Sequence, residues 1–133
     1  MEDEIREGHL SSNSISTLDP DLFSGCPQLA YLIASDNQLT SFTHRPLPVL
    51  QELQLQDNPL REHPDLRGFT NLTSLRMNGH RIPELEFASF FALPNLETLH
   101  VAADSAFGGS VAKRVSLEDV DKPARFGAQL RAL

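Results

Sequence analysis

Cysteine is the scarcest chemically useful residue in this 133-residue chain: Cys26 stands alone. With no second thiol, an internal disulfide framework and a cysteine-based zinc site are both excluded, and a reducing compartment is favoured. No apolar run approaches the roughly 18 residues that a membrane-spanning helix needs. The start, Met1 through Glu4, is acidic and lacks the basic and apolar stretches of a secretory signal, so the chain is expected to stay in the cytoplasm. Phosphate-cradling loops, dinucleotide fingerprints and paired-carboxylate spacings are missing too, and no cofactor is expected.

Basic residues are scarce in one half only. Residues 1–60 hold nine acids against Arg6 and Arg45, whereas residues 61–133 hold nine of each sign, so the whole net charge of −7 lies in the first half. An acidic half repels phosphate backbones, which argues against nucleic acid and for a partner protein with a basic surface. Hydrophobic content of 40% and charged content of 22% are ordinary for a globular chain, and the length suits one domain with a modest core.

What the chain does have is a period. Leu29, Leu32, Ala34, Asn37 and Leu39 recur as Leu50, Leu53, Leu55, Asn58 and Leu60. Further copies are Leu72, Leu75, Met77, His80 and Ile82, and then Leu96, Leu99, Val101, Asp104 and Ala106. An imperfect earlier copy runs through Ile5, Gly8, Leu10, Asn13 and Ile15. Such regular self-similarity is the mark of a stacked-repeat architecture. Each Leu-x-Leu centre alternates inward and outward side chains, the period of a strand. Successive strands must be parallel, because each returns through a long connection. No single copy can bury its own leucines, but stacked neighbours can.

These positions closely resemble the leucine-rich-repeat family over about residues 5–106. The spacers agree: Leu18, Leu22, Phe23 and Cys26 follow one copy, and Leu85, Phe87, Phe90, Phe91 and Leu93 follow another at matching offsets. The middle spacers are shorter, carrying Phe42 and Leu47, then His63, Leu66 and Phe69, and the subclass stays open. The resemblance implies an α/β solenoid: a right-handed superhelix with a short curved parallel sheet and an outer face of loops and short helices. It implies a solenoid of about five repeats over 1–106, with 107–133 as a C-terminal capping segment in which Phe126, Leu130 and Leu133 share one helical face. It also implies that asparagine bonds the turn after each strand. On that basis the ladder should weaken where His80 and Asp104 replace asparagine, and restoring asparagine at position 80 should be neutral or stabilising. Only four residues precede Ile5, so the first copy is expected to be frayed, or covered by a partner or another segment.

The outward strand positions fall into columns. One is Glu7, Tyr31, Glu52, Ser74 and Thr98; the next is His9, Ile33, Gln54, Arg76 and His100. A third is Ser11, Ser35, Gln56, Asn78 and Ala102, flanked by Ser12, Asp36, Asp57, Gly79 and Ala103. In the resembled family this face does the binding, so Tyr31, Ile33, Glu52, Gln54, Arg76 and His100 are the candidate contacts. Tyr and Arg are frequent interface anchors.

Chemistry on this face is not expected. Rungs roughly 4.8 Å apart put His9 and His100 about 19 Å from each other, too far to share a metal ion. Ser74 and His100 are separated by about 8 Å of backbone, beyond the reach of a nucleophile and its base. His63 and Cys26 sit at core-facing spacer positions, and His44 lies in a proline-rich loop. Asn71-Leu72-Thr73 matches a glycosylation sequon, relevant only to a secreted chain. The reading is therefore a non-enzymatic protein-interaction module, an adaptor or a small subunit of a larger assembly, with no metal and no membrane role. The alternative is the recognition part of a larger effector or enzyme whose catalytic portion lies elsewhere.

Overall fold

In four copies a buried leucine, and in the first copy Gly8, is flanked by two outward side chains, and that triplet forms the strand. The computed structural model describes residues 4–86, 89–90 and 92–104. Its strands are β1 (Glu7–His9), β2 (Tyr31–Ile33), β3 (Glu52–Gln54), β4 (Ser74–Arg76) and β5 (Thr98–His100). They form one five-stranded parallel sheet in sequential order. The chain is a leucine-rich-repeat solenoid of this sheet, with turns making up most of the described outer face. The expected capping segment 107–133, together with Phe87 and Phe91, lies outside the described residues.

Leu32, Leu53, Leu75 and Leu99 stack inward with no exposure, and the flanking Leu29, Leu50, Leu72 and Leu96 are buried beside them. Full burial of one such side chain contributes roughly 1.5–3 kcal/mol, so the stack is the principal stabilising feature. Phe42, Phe69 and Phe90 close the outer side of the core, with Phe42 and Phe69 meeting edge to face at 6.3 Å. Cys26 is buried, as its spacer position predicts.

The first rung departs from the pattern. Gly8 stands where the other copies have leucine, yet β1 pairs fully with β2 in register. A side chain at Gly8 would collide with the ring of Phe23, its Cβ lying 2.9 Å from Cζ. The ring thus fills the missing leucine's volume, and the first copy is ordered from within the chain. His44 holds Phe23 in place: its ring stacks on the phenyl at 6.0 Å, and its Nε2 accepts the Phe23 amide at 3.0 Å. Within its proline-rich loop His44 is buried, its Nδ1–H donating to the Arg45 carbonyl.

The turns explain the asparagines. After each of the first four strands the chain takes a left-handed residue, supplied by Ser12, Asp36, Asp57 and Gly79 at φ of 58°, 56°, 61° and 86°. Short polar side chains and glycine tolerate that region best. The turn leaves main-chain groups pointing into the core, where unpaired polar atoms are costly. Asn37 satisfies five of them, accepting the amides of Asn13 and Ile15 and donating to the carbonyls of Leu10, Ala34 and Ser35. Asn58 repeats the scheme, accepting from Leu39 and donating to Ala34 and Leu55. Both reach back to the preceding repeat.

His80 does something else. Its Nδ1 accepts the amide of Ile82 at 3.0 Å and its Nε2–H donates to the Val101 carbonyl at 2.8 Å, so it serves its own repeat and the next one. Leu60, whose counterpart Leu39 bonds Asn58, turns its amide to the Asn58 carbonyl instead. The ladder therefore changes direction at His80 rather than simply fading. At the two ends, Asn13 is exposed and Asp104 pairs with Arg81 at 3.2 Å.

Candidate functional site

The sheet fixes the outward columns. Strand register aligns Glu7, Tyr31, Glu52, Ser74 and Thr98 in one row, and His9, Ile33, Gln54, Arg76 and His100 in the next. Backbone bonds beyond the strands, such as Asp36 N to Gln56 O and Asp57 N to Asn78 O, hold the third column in line. All six candidate contacts therefore share one surface about 10 Å wide, since each strand contributes three residues at ~3.3 Å. Tyr31 is 37% exposed, high for a large aromatic, and Ile33 beside it is partly exposed. Arg76 is exposed two rungs away, and its guanidinium makes no ion pair or hydrogen bond among the described residues.

Along β3 the side chains form a directed relay. Gln54 Nε2 donates to Glu52 Oε2 at 3.0 Å, and Gln56 Nε2 donates to Gln54 Oε1 at 3.2 Å. The carboxylate can only accept, so it fixes both amide orientations. Gln56 Oε1 is left at the end, shielded from solvent and accepting nothing among the described residues. Composition had shown the acids but not this chain of bonds, whose signal was the acid-x-amide-x-amide spacing of Glu52, Gln54 and Gln56. Elsewhere on the face Glu7 bonds His9 at 2.8 Å, and Ser12 donates to Asp36 across one rung.

The histidines do not converge. Ser74 pairs across the sheet with Thr98 and Arg76 with His100, so Ser74 and His100 are diagonal neighbours with no bond between them. Among the described residues, no three His, Cys, Asp or Glu side chains stand together as metal ligands would. His63 and His80 act as main-chain acceptors. Burial lowers the pKa of His80, with a smaller push in the same direction from His63; its bond to the Val101 carbonyl opposes the shift. Burial likewise lowers the pKa of His63, against the upward pull of Glu86 and the Glu84 backbone. His63 Nε2 accepts the Glu86 amide, and its Nδ1 is buried with no hydrogen-bond partner among the described residues. A hollow of about 510 Å³ lies on the outer side, between Leu66–Phe69 and Leu93–Pro94, and contains none of the candidate contacts.

Comparison with known proteins agrees with this geometry. The family model for leucine-rich repeats matches residues 9–60. Leucine-rich repeat-containing G-protein coupled receptor 5 of Xenopus tropicalis is 33% identical over 104 residues, 74% of this chain and 11% of the receptor. Fibromodulin of Mus musculus is 30% identical over 124 residues, 90% of this chain and 32% of that protein. The chain thus spans a third or less of these two relatives. Among solved structures, a chain of the Drosophila melanogaster SNF/U2A' complex superposes with a TM-score of 0.62 at 18% identity, covering 96% of this chain and 87% of that one. At that identity the likeness is one of fold. No helix among the described residues is long and apolar enough to cross a membrane.

Proposed function

The chain belongs to the leucine-rich-repeat family, and from that premise we propose that it is a non-enzymatic module that binds a protein partner through the outward face of its sheet. The observation that carries the reading is the unpaired Arg76 guanidinium and, two rungs away, the exposed Tyr31–Ile33 patch on one continuous, register-locked surface. Tyr31 and Ile33 set an aromatic and an aliphatic side chain in adjacent columns of that surface, and tyrosine and arginine are frequent interface anchors. The cytoplasm is the proposed compartment, since the buried Cys26 thiol has no second cysteine to pair with; that one relative is named as a receptor leaves an extracellular setting as the competing reading.

A second reading has its own support. Relatives three to nine times longer than the matched region suit a recognition segment within a larger protein. Pull-down of the intact protein followed by mass spectrometry identifies the partner, and paired substitutions then test the face. Tyr31→Ala together with Arg76→Glu should abolish capture of that partner while leaving the circular dichroism spectrum unchanged. If Arg61→Glu in an outer turn abolishes capture and the double variant does not, the outward face is not the binding surface.

A further inference from the structure

The outward face carries an apolar patch among polar groups, and the order of these groups defines what fits it. This inference rests on the binding face proposed above. Rung two offers Tyr31 and Ile33, rung three Glu52, and rung four Arg76. Glu52 and Arg76 lie diagonally, roughly 8 Å apart along the backbone. They do not neutralise one another, because Gln54 lies directly beside Arg76 and ties up one Glu52 oxygen. A neighbouring acid and base are thus held apart and both kept available.

Spacing selects the shape of the partner. Rungs repeat at about 4.8 Å, while one turn of helix advances about 5.4 Å. Residues three or four apart on a helix therefore fall on successive rungs. An extended strand laid the same way presents same-side residues about 6.6 Å apart and drifts out of step. A helix is also about 10–12 Å wide, comparable to the three-residue strands it would lie across. We propose that the partner docks a helix along the rungs, with an apolar side chain on Tyr31 and Ile33, a lysine or arginine on Glu52 one turn later, and an aspartate or glutamate on Arg76 one turn after that. The expected basic partner surface becomes an ordered apolar–basic–acidic stripe.

Two capped, alanine-rich helical peptides test the order. One carries leucine, lysine and glutamate at one-turn intervals; the other has the same composition with the two charges exchanged. Each is titrated into the isotopically labelled full chain and followed by amide chemical shifts. The matched peptide should bind at least about ten-fold tighter and move the amides of residues 31–35, 52–56 and 74–78. Glu52→Lys combined with Arg76→Glu should reverse the preference, with a folded spectrum as its control. Equal affinity for both peptides at those same amides overturns the charge order while leaving the outward face as a binding surface. Shifts confined to the outer turns overturn the face itself. No shift with either peptide at millimolar concentration rejects the helical stripe, and the Tyr31 and Arg76 pull-down then judges the face independently.

Discussion

Asn37 and Asn58 on one side, His63 and His80 on the other, divide the solenoid into two halves that meet the same demand with different chemistry. In the first half, neutral amides satisfy the buried turn carbonyls and amides by reaching backward. In the second half imidazoles do so, and His80 reaches forward. An amide has the same donors and acceptors at every ordinary pH. An imidazole accepts only while neutral, so the turn ladder carries a proton-dependent element at His80 that it lacks at Asn37 and Asn58. Repeats that look interchangeable in the leucine pattern thus differ in how they respond to acid.

The largest expected effect lies in the amide half. Asn58→Ala removes the side-chain partner of Leu39 N and Leu55 O, while Ala34 O keeps its bond from Asn37, all in a site with 1% exposure. Each orphaned buried group costs about 1–3 kcal/mol, so the loss should be about 2–4 kcal/mol after partial relaxation. Urea melts at several pH values should show the same loss at each. A loss that shrinks strongly under acid would erase the distinction between the halves.

Acid should act next, and on the other half. Burial depresses both His63 and His80 below their ordinary value of 6.5. The unfolded chain therefore takes up protons that the folded chain resists. Stability is full above about pH 6.5 and falls as pH drops through that value. Melts between about pH 7.5 and about pH 5 should show a declining midpoint in the parent, and a flatter decline in His80→Asn. That variant should also lose about 1–2 kcal/mol at neutral pH, because the shorter amide cannot span from Ile82 N to Val101 O. The family pattern alone makes the same substitution neutral or stabilising; the forward reach of the ring is what reverses that expectation.

Smaller again is the effect at the first rung. Gly8→Ala pushes a methyl against the Phe23 ring and should cost about 1 kcal/mol, the scale of mild overpacking. Gly8→Leu paired with Phe23→Ala should recover most of the loss by exchanging one filler for another. If the double variant is worse than either single one, Phe23 has a role besides filling.

The strands, their register and the outward columns were legible because a buried leucine at every third rung position leaves one way to stack. Cys26, His63 and Phe42 were placed correctly for the same reason: apolar periodicity marks the inside. Gly8 was harder, since its filler, Phe23, comes from a spacer fifteen residues later. The direction of His80 was hidden too. A motif position says that a polar side chain serves the turn, but not which neighbour it serves, and ring length decides that. His44 was placed only in a proline-rich loop, because its partners are main-chain groups of Phe23 and Arg45, which carry no signature in the side-chain pattern. The outward placement of Tyr31 and Arg76 followed from the columns, whereas the Glu52–Gln54–Gln56 relay required side-chain geometry.

The smallest expected effect concerns the end of that relay, at the boundary between the halves. Gln56 contributes one donor, at 3.2 Å to Gln54, and hides one acceptor that bonds nothing among the described residues. A shielded acceptor without a donor costs about 1–3 kcal/mol, while an ordinary hydrogen bond returns only about 0.5–1.5 kcal/mol. The two contributions nearly cancel, with a slight excess of cost. Gln56→Leu should therefore leave stability unchanged or raise it by up to about 1 kcal/mol, despite replacing a polar residue on a partly exposed face. Gln54→Leu should behave oppositely with respect to binding, since it frees Glu52 to approach Arg76 and close the charge pair within the molecule. Urea melts of Gln56→Leu settle the first point: a loss above about 1 kcal/mol would mean that the hidden oxygen is bonded in solution. The stripe peptide settles the second. If Gln54→Leu binds it as well as the parent does, the relay is not what keeps acid and base apart.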